Sequence, residues 1–206
     1  MEEIKMTERE KMLNERLYKV DAELGKLNEN CRRIMEKFNA TRYESGNDRM
    51  KYIRELFAHV GENAYIEPEV YFDYGCHISV GDNFYANTGL IILDQCMVTI
   101  GNNVFFGPRV NIYCAGHPID AGVRNKQLEY GKPVTIGNDV WVGGNVVFNP
   151  GVTVGDDVVI GSGAVVTKDI PSHVIAGGNP CRVIREITDK DRLYWQEQER
   201  AWLTPQ

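Results

Sequence analysis

The sequence predicts a mainly β protein: a parallel β-helix of hexapeptide repeats, preceded by α-helices and closed by a short C-terminal helix. Three observations carry this. Apolar residues recur at helical spacing before residue 60, a six-residue period takes over beyond it, and most of the 20 glycines fall in that second part. With 206 residues, 43% of them hydrophobic and 25% charged, the composition is that of a globular chain with one core. No apolar run approaches the roughly 20 residues that cross a bilayer. A net charge of -6 gives no electrostatic reason to expect nucleic acid or an anionic membrane as the main partner. The start, Met1-Glu2-Glu3-Ile4-Lys5, lacks the basic then apolar profile of a secretion signal, so the expected location is the cytoplasm.

The helical segment, residues 1–60, opens at Thr7, whose side-chain oxygen followed by Glu8 to Glu10 fits a helix start. Two or three helices are expected from Met12, Leu17, Tyr18 and Leu24, then Ile34, Met35 and Phe38, then Ile53, Leu56 and Phe57. Asn39-Ala40-Thr41 and Glu44-Ser45-Gly46-Asn47 carry the turn formers that would separate them.

Residues 61–187 form the repeat. Blocks of six begin at Ile136, Val142, Phe148, Val154, Ile160 and Val166 without a slip, each opening on a large apolar residue, usually followed by Gly, with a smaller apolar residue in fifth place. Ile100 and Phe106 begin two more, and Ile66, Phe72, Ile78, Phe84 and Leu90 keep the spacing in degenerate form. Short strands forming the faces of a triangular coil would stack these apolar residues inward, with glycine at the corners supplying positive φ. A sandwich of short strands is the competing fold, but its turns recur every 8 to 12 residues. The repeat is interrupted by the loop 115–133, and a loop of that length in a compact solenoid is usually functional. Residues 188–206 read as a charged helix and tail, with Tyr194 and Trp195 available for packing.

Five cysteines with no C-x-x-C pair fit neither a zinc ribbon nor a disulfide framework, so reduced thiols are expected. His117, at the start of the loop, is the histidine with a context for chemistry. His59, His77 and His173 are assigned packing or surface roles. A zinc lyase on the same fold would need three converging histidines, and the position five residues after His117 is Gly122. A non-enzymatic scaffold would explain the repeat but not the loop and its histidine.

The runs Gly61-Glu-Asn-Ala-Tyr-Ile-Glu-Pro, Asn83-Phe-Tyr-Ala-Asn, Gly116-His-Pro-Ile-Asp, Gly137-Asn-Asp-Val-Trp-Val-Gly, Asn149-Pro-Gly-Val-Thr and Gly178-Asn-Pro-Cys-Arg-Val-Ile resemble the maltose and galactoside O-acetyltransferases, over nearly the whole chain. The resemblance implies a left-handed coil, a homotrimer with sites between neighbouring subunits, acetyl-CoA as co-substrate, no metal, and transfer of acetyl to a sugar hydroxyl. It assigns His117 as general base, Asn87 as holder of the acceptor hydroxyl and the Gly144 amide as oxyanion donor. Trp141, Gly144, Ser162, Thr167, Lys168, Arg182 and Arg185 would line the coenzyme, with the two arginines near its phosphates. Asp21 and Tyr85 would contact the acceptor. Asn28 stands where the galactoside enzymes carry an arginine, and Gln95 where they carry an aspartate, with Asp94 as the substitute acid. Those departures tell against a galactoside, and the tracts Gly116-His-Pro-Ile-Asp and Tyr130-Gly-Lys-Pro-Val resemble the maltose enzymes, so a maltose- or glucose-type acceptor is expected; a galactoside, an amino sugar, an antibiotic and a serine hydroxyl remain as alternatives. Transfer is expected to be direct, since no Cys or Ser has a convincing base beside it, Cys114 being the nearest.

Overall fold

The computed structural model describes residues 6–42 and 47–204. Met1 to Lys5, and Glu44-Ser45-Gly46 of the second expected turn, lie outside the described residues. Three parallel sheets form the sides of a prism. The first face runs from His59–Val60 through Ile78–Val80, Val98–Ile100 and Val134–Ile136 to Thr153–Val154. The second holds Tyr65–Ile66, Tyr85–Ala86, Phe105–Phe106, Trp141–Val142, Val158–Ile160 and Val174–Gly177, with Arg182–Glu186 added antiparallel at its end. The third holds Val70–Phe72, Leu90–Leu93, Asn111–Tyr113, Val147–Phe148 and Val165–Val166. Residues that open the sixes and those in fifth place are both buried, as in Val142, Phe148, Val146 and Val152, so each side of each coil contributes two inward side chains.

The late coils repeat every eighteen residues, as the pairs Trp141↔Val159 and Val147↔Val165 show. The early coils repeat every twenty: Val60 pairs with Val80, Val80 with Ile100, and Phe72 with Ile92. The degenerate spacing read from Ile78, Phe84 and Leu90 is therefore a register error. The true openers are Val80, Ala86 and Ile92, and two surplus residues lie between Phe72 and Val80 and again between Ile92 and Ile100. Across the loop the pairs Val98↔Val134, Phe105↔Trp141 and Asn111↔Val147 are thirty-six residues apart, which puts eighteen surplus residues after Ile112. All three surpluses leave the coil at one edge, between the third and first faces.

Gly89, Gly151 and Gly163 have the positive φ expected of corner glycines, but the glycine in second place has a different cause. Gly81, Gly101 and Gly137 do not have positive φ; that conformation falls two residues later, at Asn83, Asn103 and Asp139. A Cβ on Gly101 would lie 2.7 Å from the carbonyl carbon of Gly137 on the next coil, and one on Gly137 2.8 Å from that of Gly155, so backbone stacking excludes any side chain. Asn and Asp tolerate the left-handed residue and join the coils there. Asn83 Nδ2 donates to Asn103 Oδ1 at 2.8 Å and Asn103 Nδ2 to Asp139 Oδ1 at 2.9 Å.

Helix α1 (Glu8–Leu13) starts at a capping box on Thr7 and Glu10, as its sequence suggests. Leu17 and Tyr18 fall between helices; Tyr18 is buried, but Leu17 is exposed. Helix α2 (Ala22–Asn39) and α3 (Met50–Leu56) put Cys31, Ile34, Met35, Phe38, Ile53 and Leu56 into the same core as the coils, which seals the open end of the prism. Asn39 is a helical residue rather than the expected turn former. Its Oδ1 accepts from the Val70 N–H at 2.9 Å and its Nδ2 donates to the Val70 carbonyl at 3.0 Å, standing in for the missing neighbour of an edge strand. A short α4 (Ala121–Arg124) lies in the loop. Helix α5 (Asp189–Leu203) has no buried residue, and Tyr194 and Trp195 pack on each other, ring centroids 5.0 Å apart. No helix of the described residues is long and apolar enough to cross a membrane.

Replacing Asn39 by Ala orphans both backbone groups of Val70, so Asn39→Ala is expected to lower unfolding free energy by about 1–3 kcal/mol, read from urea denaturation. An unchanged midpoint would mean that water replaces the side chain without cost.

Candidate active site

Everything that leaves the coil between the third and first faces converges on one cavity of about 320 Å³. Val20, Leu24, Gly25 and Asn28 line it from the helical segment, Asp73, Tyr74 and Gln95 from the two short extrusions, and Glu129 from the long loop. The loop is tied down by a small antiparallel pair, Ala115–Gly116 with Tyr130–Gly131, and by Tyr18. Tyr18 and Glu129 exchange backbone hydrogen bonds at 3.0 and 3.1 Å, and the buried Tyr18 hydroxyl donates to Glu129 Oε2 at 2.7 Å. Burial and this carboxylate together push the Tyr18 hydroxyl far up, so it stays a donor.

His117 is exposed on the same loop. Its Nδ1 lies 3.4 Å from the Leu128 carbonyl, a long hydrogen bond. A carbonyl can only accept, so the bond places the hydrogen on Nδ1 and leaves the Nε2 lone pair free to take a proton. Leu128 directly precedes Glu129, which joins the histidine to the cavity wall.

Asp94 is not an acceptor contact. It is fully buried beneath the cavity, where its Oδ1 accepts from the N–H groups of Asp73 at 3.1 Å and Tyr74 at 2.9 Å, and its carbonyl accepts from His77 Nδ1 at 2.8 Å. Burial raises its carboxyl to about 7 and lowers the neighbouring His77, so it disfavours the charged form of both. The acids at the cavity are instead Asp73 and Glu129, and with Tyr74 they are the residues that the sequence reading missed. The two-residue surplus after Phe72 was the signal that could have found Asp73 and Tyr74.

Asp21 caps α2, its Oδ1 accepting from the N–H groups of Glu23 and Leu24, both at 3.0 Å. It stands beside Val20 but does not line the cavity. Tyr85 is also elsewhere: it stacks on Tyr65 on the outer side of the second face, centroids 6.3 Å apart, because outward positions alternate with the inward Ala86. That outward row continues through Phe105 and Trp141, which are 49% and 58% exposed.

Asn87, Gly144 and Ser162 follow one another along a second edge, between the second and third faces, and Arg182 continues it opposite Gly177. The coil bends there and leaves an N–H at each level. At Thr88 it is met by Asn87 Oδ1 at 2.8 Å, and at the next level Pro108 has none. Among the described residues the Gly144 and Ser162 N–H groups have no acceptor, although Gly143 and Asn145 donate to Ile160 and Pro108. Such open amides suit a carbonyl oxygen that becomes negative during a reaction. Thr167 and Lys168 are exposed at the edge that carries His117. Within one chain the structure thus holds His117 apart from Asn87 and Gly144, on different edges of the prism.

Arg185 is not a free phosphate ligand. Both of its terminal nitrogens reach the Asp191 carboxylate at 2.7 Å, a bidentate pair at the start of α5. Among the described residues Arg182 bonds only the Cys181 carbonyl and keeps donors to spare. Cys114 is buried, which pushes its thiol far above neutrality and removes it as a nucleophile. No cluster of metal-binding side chains occurs among the described residues.

An extruded loop with a histidine on a hexapeptide coil with open amides defines an acyltransferase type of site. A model described as bacterial transferase hexapeptide (six repeats) matches residues 133–168, and one described as maltose acetyltransferase hexapeptide capping motif matches residues 11–61. A galactoside O-acetyltransferase of Escherichia coli is 51% identical over 162 residues, covering 79% of this chain and 80% of its own. The crystal structure of a maltose O-acetyltransferase from Clostridium difficile superposes with a TM-score of 0.87 at 49% identity, covering 89% of this chain and 98% of that one. A galactoside acetyltransferase in complex with coenzyme A gives 0.85 at 46%, with 91% and 94% covered. The chain belongs to the galactoside and maltose O-acetyltransferase family of hexapeptide-repeat, acetyl-CoA-dependent enzymes.

Asp94 sets a pH dependence. Its folded pKa lies above the unfolded value, so the folded state binds the extra proton, and stability from this group falls as pH rises from about 4 to about 7. Asp94→Asn keeps an oxygen for the two N–H groups and cannot ionise. It is expected to remove a loss on the order of a few kcal/mol between pH 4 and pH 8, measured as the shift in urea midpoint. An identical shift in the variant and the parent would assign the loss to other groups.

Proposed function

We propose that the protein transfers acetyl from acetyl-CoA to a hydroxyl of a sugar of glucosyl type, with His117 as general base. The observation that carries this is the Nδ1 contact of His117 with the Leu128 carbonyl, which leaves the Nε2 lone pair free on the loop whose Glu129 lines the polar cavity. A sugar hydroxyl is too weak an acid to ionise unaided, so its proton must leave as its oxygen attacks the thioester carbon. His117 takes that proton. The tetrahedral oxygen gains the Gly144 N–H, and collapse breaks the C–S bond, with the proton passing from His117 to the departing thiolate. No acyl-enzyme is needed, consistent with the buried Cys114.

The separation of His117 from Gly144 and Asn87 supports a site completed by a second copy, and a closed ring of three is the assembly proposed. The outward residues of the first face are polar, Ser79, Thr99, Thr135 and Thr153, whereas the second and third faces show Tyr85, Phe105, Trp141, Tyr71, Ile91, Val147 and Val165. Two unlike apolar faces that meet in pairs generate a ring where the rotation between copies closes. In that contact the loop of one copy would leave at the far end of the neighbour's second face and would reach along it, past Phe105 and Trp141, toward the edge with Asn87, Gly144, Ser162 and Arg182. Trp141 would flank the pantetheine, with Thr167, Lys168 and Arg182 toward the nucleotide end.

His117→Ala is expected to lower kcat for acetyl transfer to glucose or maltose roughly 10²–10⁴-fold while binding of acetyl-CoA, followed by calorimetry, stays within a few-fold. A loss under tenfold would show that another group takes the proton.

A further inference from the structure

Among the described residues no side chain from His117 to Tyr130 is buried, and the hydrogen bonds of residues 118–127 close within the loop. Asp120 caps α4, and Arg124 Nη1 donates to the Pro118 and Ile119 carbonyls, both at 2.9 Å. The loop therefore has no core of its own to fix His117 against the rest of the molecule. Its ties lie at its ends: Ala115–Gly116 pairs with Tyr130–Gly131, and Glu129 pairs with Tyr18. Tyr18 takes both backbone groups of Glu129 and donates its hydroxyl to the carboxylate. It is the fixed partner in that exchange. Its exposure is 0%, it clusters with Met12, Leu24 and Tyr74, and burial keeps its hydroxyl protonated. From this anchor to the histidine the path is short, because Leu128 precedes Glu129 and its carbonyl meets His117 Nδ1. At 3.4 Å that bond is long, so it lasts only while the carbonyl is held in place.

We infer that Tyr18 is a positioning residue for the reaction: by holding Glu129 it aims the Leu128 carbonyl at His117, and so keeps the ring hydrogen on Nδ1 and the lone pair on Nε2. This rests on the reading of His117 as general base. Tyr18 does not line the cavity, and it acts through Glu129 and Leu128. A ring released from Leu128 carries its hydrogen on either nitrogen and turns about its side-chain bonds. The fraction with a lone pair on the reacting nitrogen then falls, while the open amides on the other edge are untouched.

The test is Tyr18→Phe, which keeps the buried ring and removes only the hydroxyl, with its fold checked by circular dichroism. One readout is the nitrogen-15 NMR spectrum of the histidine rings at about pH 8, the His117 signals being assigned by their loss in His117→Ala. The other is kcat, and KM for acetyl-CoA, with glucose or maltose at saturation. The unmodified protein is expected to carry the His117 hydrogen on Nδ1, and Tyr18→Phe to show a mixture of both tautomers. With it kcat is expected to fall roughly tenfold while KM for acetyl-CoA stays within about twofold. Glu129→Ala removes the same bond from the loop side and is expected to release the same tautomer, which covers the case in which Tyr18→Phe does not fold. Added to Glu129→Ala, Tyr18→Phe is expected to lower kcat by less than about a further twofold, since both remove one bond. A His117 tautomer that is the same in the unmodified protein and both variants overturns the inference and leaves His117 as the base, as does a double variant whose loss is the product of the two single losses. A tautomer that shifts while kcat does not, together with a loss under about tenfold in His117→Ala, overturns the reading of His117 as base and the role of Tyr18 with it.

Discussion

The whole molecule depends on backbone resting on backbone from one coil to the next. Where Gly101 meets Gly137 and Gly137 meets Gly155 there is no room for a β-carbon, and the Asn–Asn–Asp ladder beside them ties the same levels together. A coil under that constraint cannot absorb an insertion within a face, since a one-residue shift would turn the inward row outward. Extra residues can only be expelled at a corner. Here every surplus is expelled at the same corner, after Phe72, after Ile92 and after Ile112, and that corner is the cavity.

The helical segment completes what the coil leaves open. Asn39 pairs with Val70 and the Met35 sulfur accepts the Phe72 N–H at 3.2 Å, so α2 serves as the absent strand of the third face. Its first turns, through Leu24, Gly25 and Asn28, become a wall of the cavity, and Tyr18 just before it anchors the loop. One helix therefore stabilises the end of the coil and shapes the pocket, which couples any change in pocket geometry to the core containing Cys31, Ile34 and Phe38.

The fold was legible in the sequence because its cause is periodic. From Ile136 to Val166 every opener and every fifth residue lies inside, and the start of α1 at Thr7 follows from local capping chemistry alone. The register before residue 100 was not legible from spacing, because Ile78, Phe84 and Leu90 are apolar and also buried; they occupy the fifth place, not the first. At the site, spacing singles out a residue only where its type is rare in its context, as with His117 in the loop. Asp73 and Glu129 look like solvated acids in a charged chain, and only the three-dimensional convergence of corner and loop makes them neighbours. Asp94 was misplaced because alternation along the chain decides whether a side chain faces core or pocket: Asp94 turns inward, and its neighbour Gln95 lines the cavity.

The same alternation bears on how a split site can work. His117 stands at the corner after the third face, and the open Gly144 and Ser162 amides stand at the corner before it. The amides are fixed to the stacked coils and His117 sits on the loop that leaves the other corner of the third face, so within one chain they stand on different edges. What can bring them together is rigid placement of one prism against another, and the outward rows that would make that contact, Tyr85–Phe105–Trp141 on one side and Ile91 and Val147 on the other, are the apolar ones. Under the proposed assembly, a base and an oxyanion donor held by separate copies would gain their alignment from the interface, so the packing of exposed aromatics such as Phe105 would contribute to catalysis as well as to assembly.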